Sequence, residues 1–123
     1  MQPLSITPRV ERNVAIFDLS GEIDISNVDR VKETIHPWIQ NGYRNVILNL
    51  SQVRYMDSSG LSLMISLKKK LDSQGSVSLV GCPPIIRRMM TLTRLNTLIP
   101  TYDSEEDALR TMAAGGTEAM LCS

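Results

Sequence analysis

The chain has 123 residues, enough for one hydrophobic core and not two. It carries 13 Lys+Arg against 13 Asp+Glu, so nothing in its net charge points to nucleic acid or to an anionic membrane surface. With 2 cysteines, 1 histidine and no CxxC pair, a zinc site of the usual ligand types is not expected, nor is any other cofactor.

The N-terminal stretch LSITPRVERNVAIFDLSG reads as two strands around a polar turn, Glu11 to Asn13, the second strand covering Val14 to Leu19. Pro8 donates no backbone hydrogen bond, which places the first strand at an edge or near its end. Asp18 is an outlier in an apolar segment, and GEIDIS after Leu19 reads as a loop. SNVDRVKETIHPWIQNG predicts a helix, with Ser26 as its cap and Asp29 three residues on. Val28, Val31, Ile35, Trp38 and Ile39 recur at helical spacing. Pro37 is expected to kink or interrupt the last turn, and Gly42 to stop the helix.

NVILNL is a short strand of consecutive apolar residues, suited to burial on both faces, and SQVRYMD reads as the loop that follows. A second helix is predicted from Ser58 to about Ser73, with Gly75 as its stop. Leu63, Leu67 and Leu71 form its apolar stripe, widened by Leu61, Met64 and Ile65, while Lys68 to Lys70 mark its wet side. SVSLVG predicts another strand. CPPIIRRMMTLTRL predicts a third helix, with Pro84 in its first turn and Ile85, Met89 and Leu92 on its apolar face. TLIPTY is expected as a final edge strand, and SEEDALRTMAA as a fourth helix capped by Ser104. Residues 114–123 are expected to form a loose tail after a domain spanning residues 1–113.

The alternation of strands and helices predicts an α/β fold. Its mixed sheet of about five strands has an antiparallel N-terminal pair followed by parallel strands, packed with about four helices. In such sheets function gathers beyond the carboxyl ends of the strands. GEIDIS and YMDSSG both occupy that position, and both lead into helix N-termini.

Four readings of the Ser58-Ser59 pair follow from the residues. Serine and aspartate before a helix accept hydrogen bonds from its unpaired N–H groups, so the pair can be capping alone. A catalytic serine needs a base and usually a GxSxG elbow; the elbow is absent, and nothing in the sequence places His36 near Ser58. Asp24 and Asp57 are a pair of loop carboxylates, too few for a dedicated metal cage. The last reading is a phosphorylation switch. A phosphoserine of charge about −1.5 to −2 at a helix N-terminus gains from the helix dipole, and the neighbouring aspartates oppose it by a similar amount. Modification would then leave the fold intact while placing an unmatched charge in any interface that covers the serine.

LNLSQVRYMDSSGL, Leu48 to Leu61, resembles the signature of anti-sigma factor antagonists, members of the STAS domain family. LSGEIDIS resembles a second family landmark, and the later strand, helix, strand and last helix are similar as well, so the resemblance runs from about residue 4 to residue 112. Ser62 departs from the pattern, since many members carry a second glycine there. The resemblance implies a single STAS-type domain that is a monomeric binding protein and not an enzyme; a cytoplasmic protein is expected from the residues themselves, which show neither a signal-peptide profile nor an apolar run of membrane-spanning length. In its unphosphorylated form it would sequester an anti-sigma factor serine kinase and so release a sigma factor. Phosphorylation of Ser58 would dissolve the complex, and a metal-dependent serine phosphatase would reset it. The resemblance places Glu22, Asp24, Ser26, Met56, Asp57, Ser59, Gly60 and Leu61 at the partner surface, with Ser59 also starting the helix. The alternative is a STAS scaffold, or a subunit of a lipid-transport or stress-sensing complex.

Overall fold

The computed structural model describes residues 3–71 and 74–112. Five strands form one sheet in the order β1-β2-β3-β4-β5: β1 Ser5–Glu11, β2 Val14–Ile23, β3 Asn45–Met56, β4 Ser76–Val80 and β5 Thr101–Tyr102. Only β1 and β2 are antiparallel; every later neighbour pair is parallel, as the alternation of elements predicts. The helices are α1 Val28–Gln40, α2 Ser58–Leu71, α3 Pro84–Leu92 and α4 over residues 105–112, with a short 3-10 turn at Leu95–Thr97 before β5.

The hairpin turns at Arg12 and Asn13, both at positive φ (52° and 65°), the backbone twist that a two-residue loop between right-twisted strands requires. Pro8 sits in the edge strand β1, where a missing N–H is tolerated. Trp38 packs edge-on against Phe17, with ring centroids 6.0 Å apart, and also contacts Tyr43. Helix α1 runs through Pro37 to Gln40 and is closed by Gly42 at φ 103°. There the N–H of Gly42 donates to the Ile39 carbonyl, and that of Tyr43 to the Trp38 carbonyl. Proline near a C-terminus removes only one intrahelical bond, so the expected interruption is a continuous helix instead.

The main core lies between one face of the sheet and α1, α2 and α3; it includes Phe17, Leu19, Leu48, Leu50, Ile35, Leu63, Leu67 and Ile86. Val14, Ile16, Ile47 and Val80 point to the opposite face, where Ala108 and Leu109 of α4 cover them. The Ser104 hydroxyl accepts from the Asp107 N–H at 3.2 Å and caps α4 as predicted. Three expectations change. Both β2 and β3 are longer than their uniform apolar stretches: β2 continues through Gly21-Glu22-Ile23 and β3 through Met56. Two register shifts, between Asp18 and Ser20 and between Gly21 and Glu22, carry the ladder past the point where the apolar pattern breaks. Helix α3 buries Ile86 and Met90, while Ile85 and Leu92 are exposed and Met89 is half-buried; an i, i+4 pattern fits either pair, and only docking selects its phase. The final strand is reduced to the two residues after Pro100. The expected end of α2 at Ser73, and the tail over residues 114–123, lie outside the described residues.

Asp18 proves to be structural. Its carboxylate accepts from Arg9 Nε at 2.7 Å, from Arg9 Nη2 at 3.2 Å and from Asn49 Nδ2 at 2.8 Å. Arg9 also donates to Glu105 at the start of α4, so one guanidinium ties β1, β2 and α4 together. The Arg9 hydrogen bonds hold the Asp18 carboxyl below its ordinary value of 3.8, against burial and with help from Asn49. A depressed carboxyl contributes stability above about pH 4 and loses it as pH falls through the folded-state value. These side chains are about one-third exposed, so the network contributes roughly 1 kcal/mol after screening. Arg9→Met is therefore expected to lower Tm by about 4 °C at pH 7. The gap to the parent should close as thermal melts are carried from pH 5 to pH 2.5.

Candidate functional site

The parallel register of β2 with β3 pairs Glu22 with Tyr55 and Ile23 with Met56, so the two strands end side by side. The first residue beyond β3 continues the join, because the Asp57 N–H donates to the Ile23 carbonyl at 3.2 Å. The segments 24–27 and 57–58 are therefore adjacent on the carboxyl edge of the sheet, where the sequence places both.

The first segment is held from within. The Asp24 carboxylate accepts the Ser26 N–H at 2.9 Å and the Ser26 hydroxyl, and the Asp24 carbonyl accepts the N–H groups of Asn27 and Val28. Ser26 is thus a donor to Asp24 rather than the cap of α1; the N-cap position belongs to Asn27, whose side chain does not cap the helix. Instead Asn27 closes the loop, accepting the Asp24 N–H at 2.9 Å on Oδ1 and donating from Nδ2 to the Glu22 carbonyl at 2.8 Å. The sequence reading passed over Asn27. The signal available was an Asx residue directly before an apolar helical repeat.

In the second segment Asp57 is the cap of α2. Its carboxylate accepts the Ser59 N–H at 2.9 Å and the Ser59 hydroxyl, and its carbonyl accepts the Gly60 N–H at 3.0 Å. Ser59, expected to start the helix, instead donates to the residue that does. The Ser59 hydroxyl is the main cause that holds the Asp57 carboxyl below its ordinary value of 3.8; backbone N–H groups of Ser59, Ile25 and Gly60 add to it, against some desolvation. A carboxylate committed to these donors is a poor metal ligand or general base. Among the described residues no cluster of three or more His, Cys, Asp or Glu side chains is placed to hold a metal ion.

Ser58 is exposed at the first position of α2, and its hydroxyl has no hydrogen-bond partner among the described residues. It opens on a groove of about 470 Å³ bounded by Ile25, Asp29 and Lys32 on one side and by Asp57, Ser59 and Ser62 on the other. His36 lines a different groove, where its Nδ1 lies 2.7 Å from Lys70 Nζ, so the serine has no histidine base in this arrangement. Ser62, the departure from the family pattern, is an exposed part of the groove wall.

The expected surface residues separate into two layers. Glu22, Asp24, Asp57 and Ser59 are half-buried and Ser26 is exposed, so all five reach the surface. Met56 (3% exposed), Gly60 and Leu61 (9%) lie beneath it and support it from the core. Gly60 was expected to admit something close to the backbone, and that something is Met56: a methyl at Gly60 would stand 2.2 Å from Met56 Cγ and 2.4 Å from its Sδ. Ile25, which the sequence reading left out, is 78% exposed beside Ser58 and is the most exposed of the large apolar side chains described. Its signal was an apolar residue between two loop-forming polar ones.

The STAS domain family model matches residues 5–108, and the chain belongs to that family. It is 31% identical over 108 residues to an anti-sigma F factor antagonist of Paenibacillus polymyxa, covering 86% of this chain and 92% of that one. It is 32% identical over 89 residues to the anti-sigma-B factor antagonist of Staphylococcus aureus, covering 72% and 82% respectively. The crystal structure of an anti-sigma factor antagonist from Mycobacterium paratuberculosis superposes with a TM-score of 0.85 at 24% identity, over 90% of this chain and 95% of that one. This last likeness is one of fold.

Gly60→Ala gains about 1 kcal/mol of helix propensity and forces Met56 out of its place, an overpacking cost of roughly 1–3 kcal/mol. Net destabilisation of up to about 2 kcal/mol is expected in urea melts. Adding Met56→Ala to Gly60→Ala should cost less than the sum of the two single substitutions, because the second removes the clash created by the first.

Proposed function

We propose that this protein is an anti-sigma factor antagonist that acts in the cytosol, as a single copy, by binding an anti-sigma factor serine kinase. The unmodified form holds the kinase and frees its sigma factor; phosphorylation of Ser58 ends the complex, and a metal-dependent serine phosphatase restores it. The observation that carries the reading is the contrast between the two serines. Ser59 is engaged with Asp57, whereas Ser58 is exposed, free of hydrogen bonds and directed at the shared surface of both loops. The named relatives, both antagonists of anti-sigma factors, support the partner class.

The chemistry of the switch is electrostatic. The kinase would transfer the γ-phosphoryl group of ATP, with magnesium, to the Ser58 oxygen, and the hydroxyl proton would leave to a base on the kinase. The product places about −1.5 to −2 charge at the first position of α2, beside Asp57 and Asp29. Helix dipole and free N–H groups favour that charge, and the two carboxylates oppose it, so the domain itself is left nearly unchanged in stability. A partner surface built to cover a neutral hydroxyl has no such compensation, and loses several kcal/mol when the charge is trapped against it. The exposed Ile25 supplies an apolar contact next to the switch.

The test is phosphosite mapping by mass spectrometry after the protein is incubated with source-cell lysate, ATP and magnesium. Phosphate is expected on Ser58, lost in Ser58→Ala and retained in Ser59→Ala. Phosphate on Ser59 would assign the switch to the wrong hydroxyl. Ser58→Asp is expected to weaken kinase binding by more than about tenfold while Tm stays within about 2 °C of the parent. A stable complex with a transport ATPase, indifferent to this change, would overturn the reading.

A further inference from the structure

The groove that holds Ser58 has a neighbour. Lys32 of α1 also lines a second groove of about 340 Å³ between α1 and α2. The floor of this second groove is apolar, made by Ile39 and Leu67, each buried to 5% exposure in the core beneath. Its rim is cationic at Lys32 and Lys70, with Glu33 as the one acid that lines it. Neither lysine meets a carboxylate among the described residues. Lys70 instead donates to His36 Nδ1 across the groove at 2.7 Å, a contact that orients the ammonium and leaves its charge uncompensated. The neighbouring Ser58 groove carries two carboxylates, Asp29 and Asp57, beside the shared Lys32. The two grooves thus adjoin at Lys32, with carboxylates beside the switch serine on one side and Lys70 over an apolar floor on the other.

We infer that the α1–α2 groove is a second docking site for the same kinase. It would take an amphipathic segment whose apolar side chains rest on Ile39 and Leu67 and whose carboxylates meet Lys32 and Lys70. The inference rests on the partner-switch reading and adds to it a contact remote from the phosphorylated serine. Two arguments select this occupant: the groove shares Lys32 with the Ser58 surface, and its cations are complementary to an acidic segment rather than a basic one. The carboxylates on one side and Lys70 on the other allow one orientation of the partner and penalise the reverse. Because the contact lies away from Ser58, it raises the affinity of the encounter without taking part in phosphoryl transfer.

The test uses as probe the purified kinase that phosphorylates Ser58, with binding to the full chain measured by titration calorimetry. Lys70→Glu is compared with Lys69→Glu, an exposed neighbour that makes the same change in net charge without lining the groove. Lys70→Glu is expected to weaken binding about tenfold, and Lys69→Glu less than about twofold. In phosphorylation assays Lys70→Glu should raise KM by a similar factor and leave kcat unchanged. Equal effects of the two substitutions would reduce the groove to long-range electrostatics and overturn the inference. So would parent-like binding by Lys70→Glu in a system where Ser58→Asp abolishes binding, since that leaves the switch intact and the groove empty. Parent-like binding by Ser58→Asp would overturn the partner-switch reading itself, whatever Lys70→Glu does.

Discussion

The pairing of β2 with β3 is the constraint on which the site depends. Those strands are neighbours and parallel, so their ends lie on the same edge and their two loops meet. The union is sealed by the backbone of Asp57, whose N–H donates to the Ile23 carbonyl and whose carbonyl accepts the Gly60 N–H, while its carboxylate accepts the N–H and hydroxyl of Ser59. One short aspartate therefore closes a helix N-terminus and ties two loops together. The charge it carries is matched by fixed donors, and the exposed hydroxyl beside it is left without a partner among the described residues.

The second feature of the molecule is the division of labour among its polar groups. On the α4 face of the sheet, Asp18, Arg9, Asn49 and Glu105 satisfy one another and hold β1, β2, β3 and α4 together. On the carboxyl edge, Asn27 and Asp24 shape a loop by hydrogen bonds to backbone. Neither set leaves a carboxylate in the arrangement that acid–base chemistry requires. Cys82, the cysteine among the described residues, is similarly inert: it is buried, and desolvation pushes its thiol up to about 11, far from the thiolate needed for redox or nucleophilic work. The surface around Ser58 has an apolar knob at Ile25, carboxylates at Asp29 and Asp57, and a second groove toward Lys70 beside it.

The fold was largely legible because its signals are periodic. The 3.6-residue recurrence of Val28, Val31, Ile35 and Ile39, and of Leu63, Leu67 and Leu71, names the buried faces of α1 and α2 before any coordinate is seen. The stops at Gly42 and the turn at Arg12-Asn13 are local chemistry and were legible for that reason. What failed to read was any feature whose pattern admits two answers. The spacing of α3 fits Ile85-Met89 as well as Ile86-Met90. The strands β2 and β3 outlast their apolar alternation because bulges restore the ladder, and a bulge has no reliable signature in one strand alone.

The site divides along the same line. The order Asp57-Ser58-Ser59-Gly60 and the earlier Asp24-Ile25-Ser26 determine by themselves that two polar segments precede two helices, and that a hydroxyl stands at a helix start; that Gly21-Glu22-Ile23 belongs to β2 was not legible. The family is legible in the sequence too: the STAS domain family model matches residues 5–108. The roles within the loops were decided only by tertiary structure. Whether Ser26 or Asn27 closes the first loop, whether Asp57 or Ser59 caps the second, and whether Gly60 faces a partner or Met56 all depend on which groups come within about 3 Å across the β2–β3 join. Hydrogen bonds and steric contacts are set by distance in space, and a sequence orders residues along the chain without stating those distances.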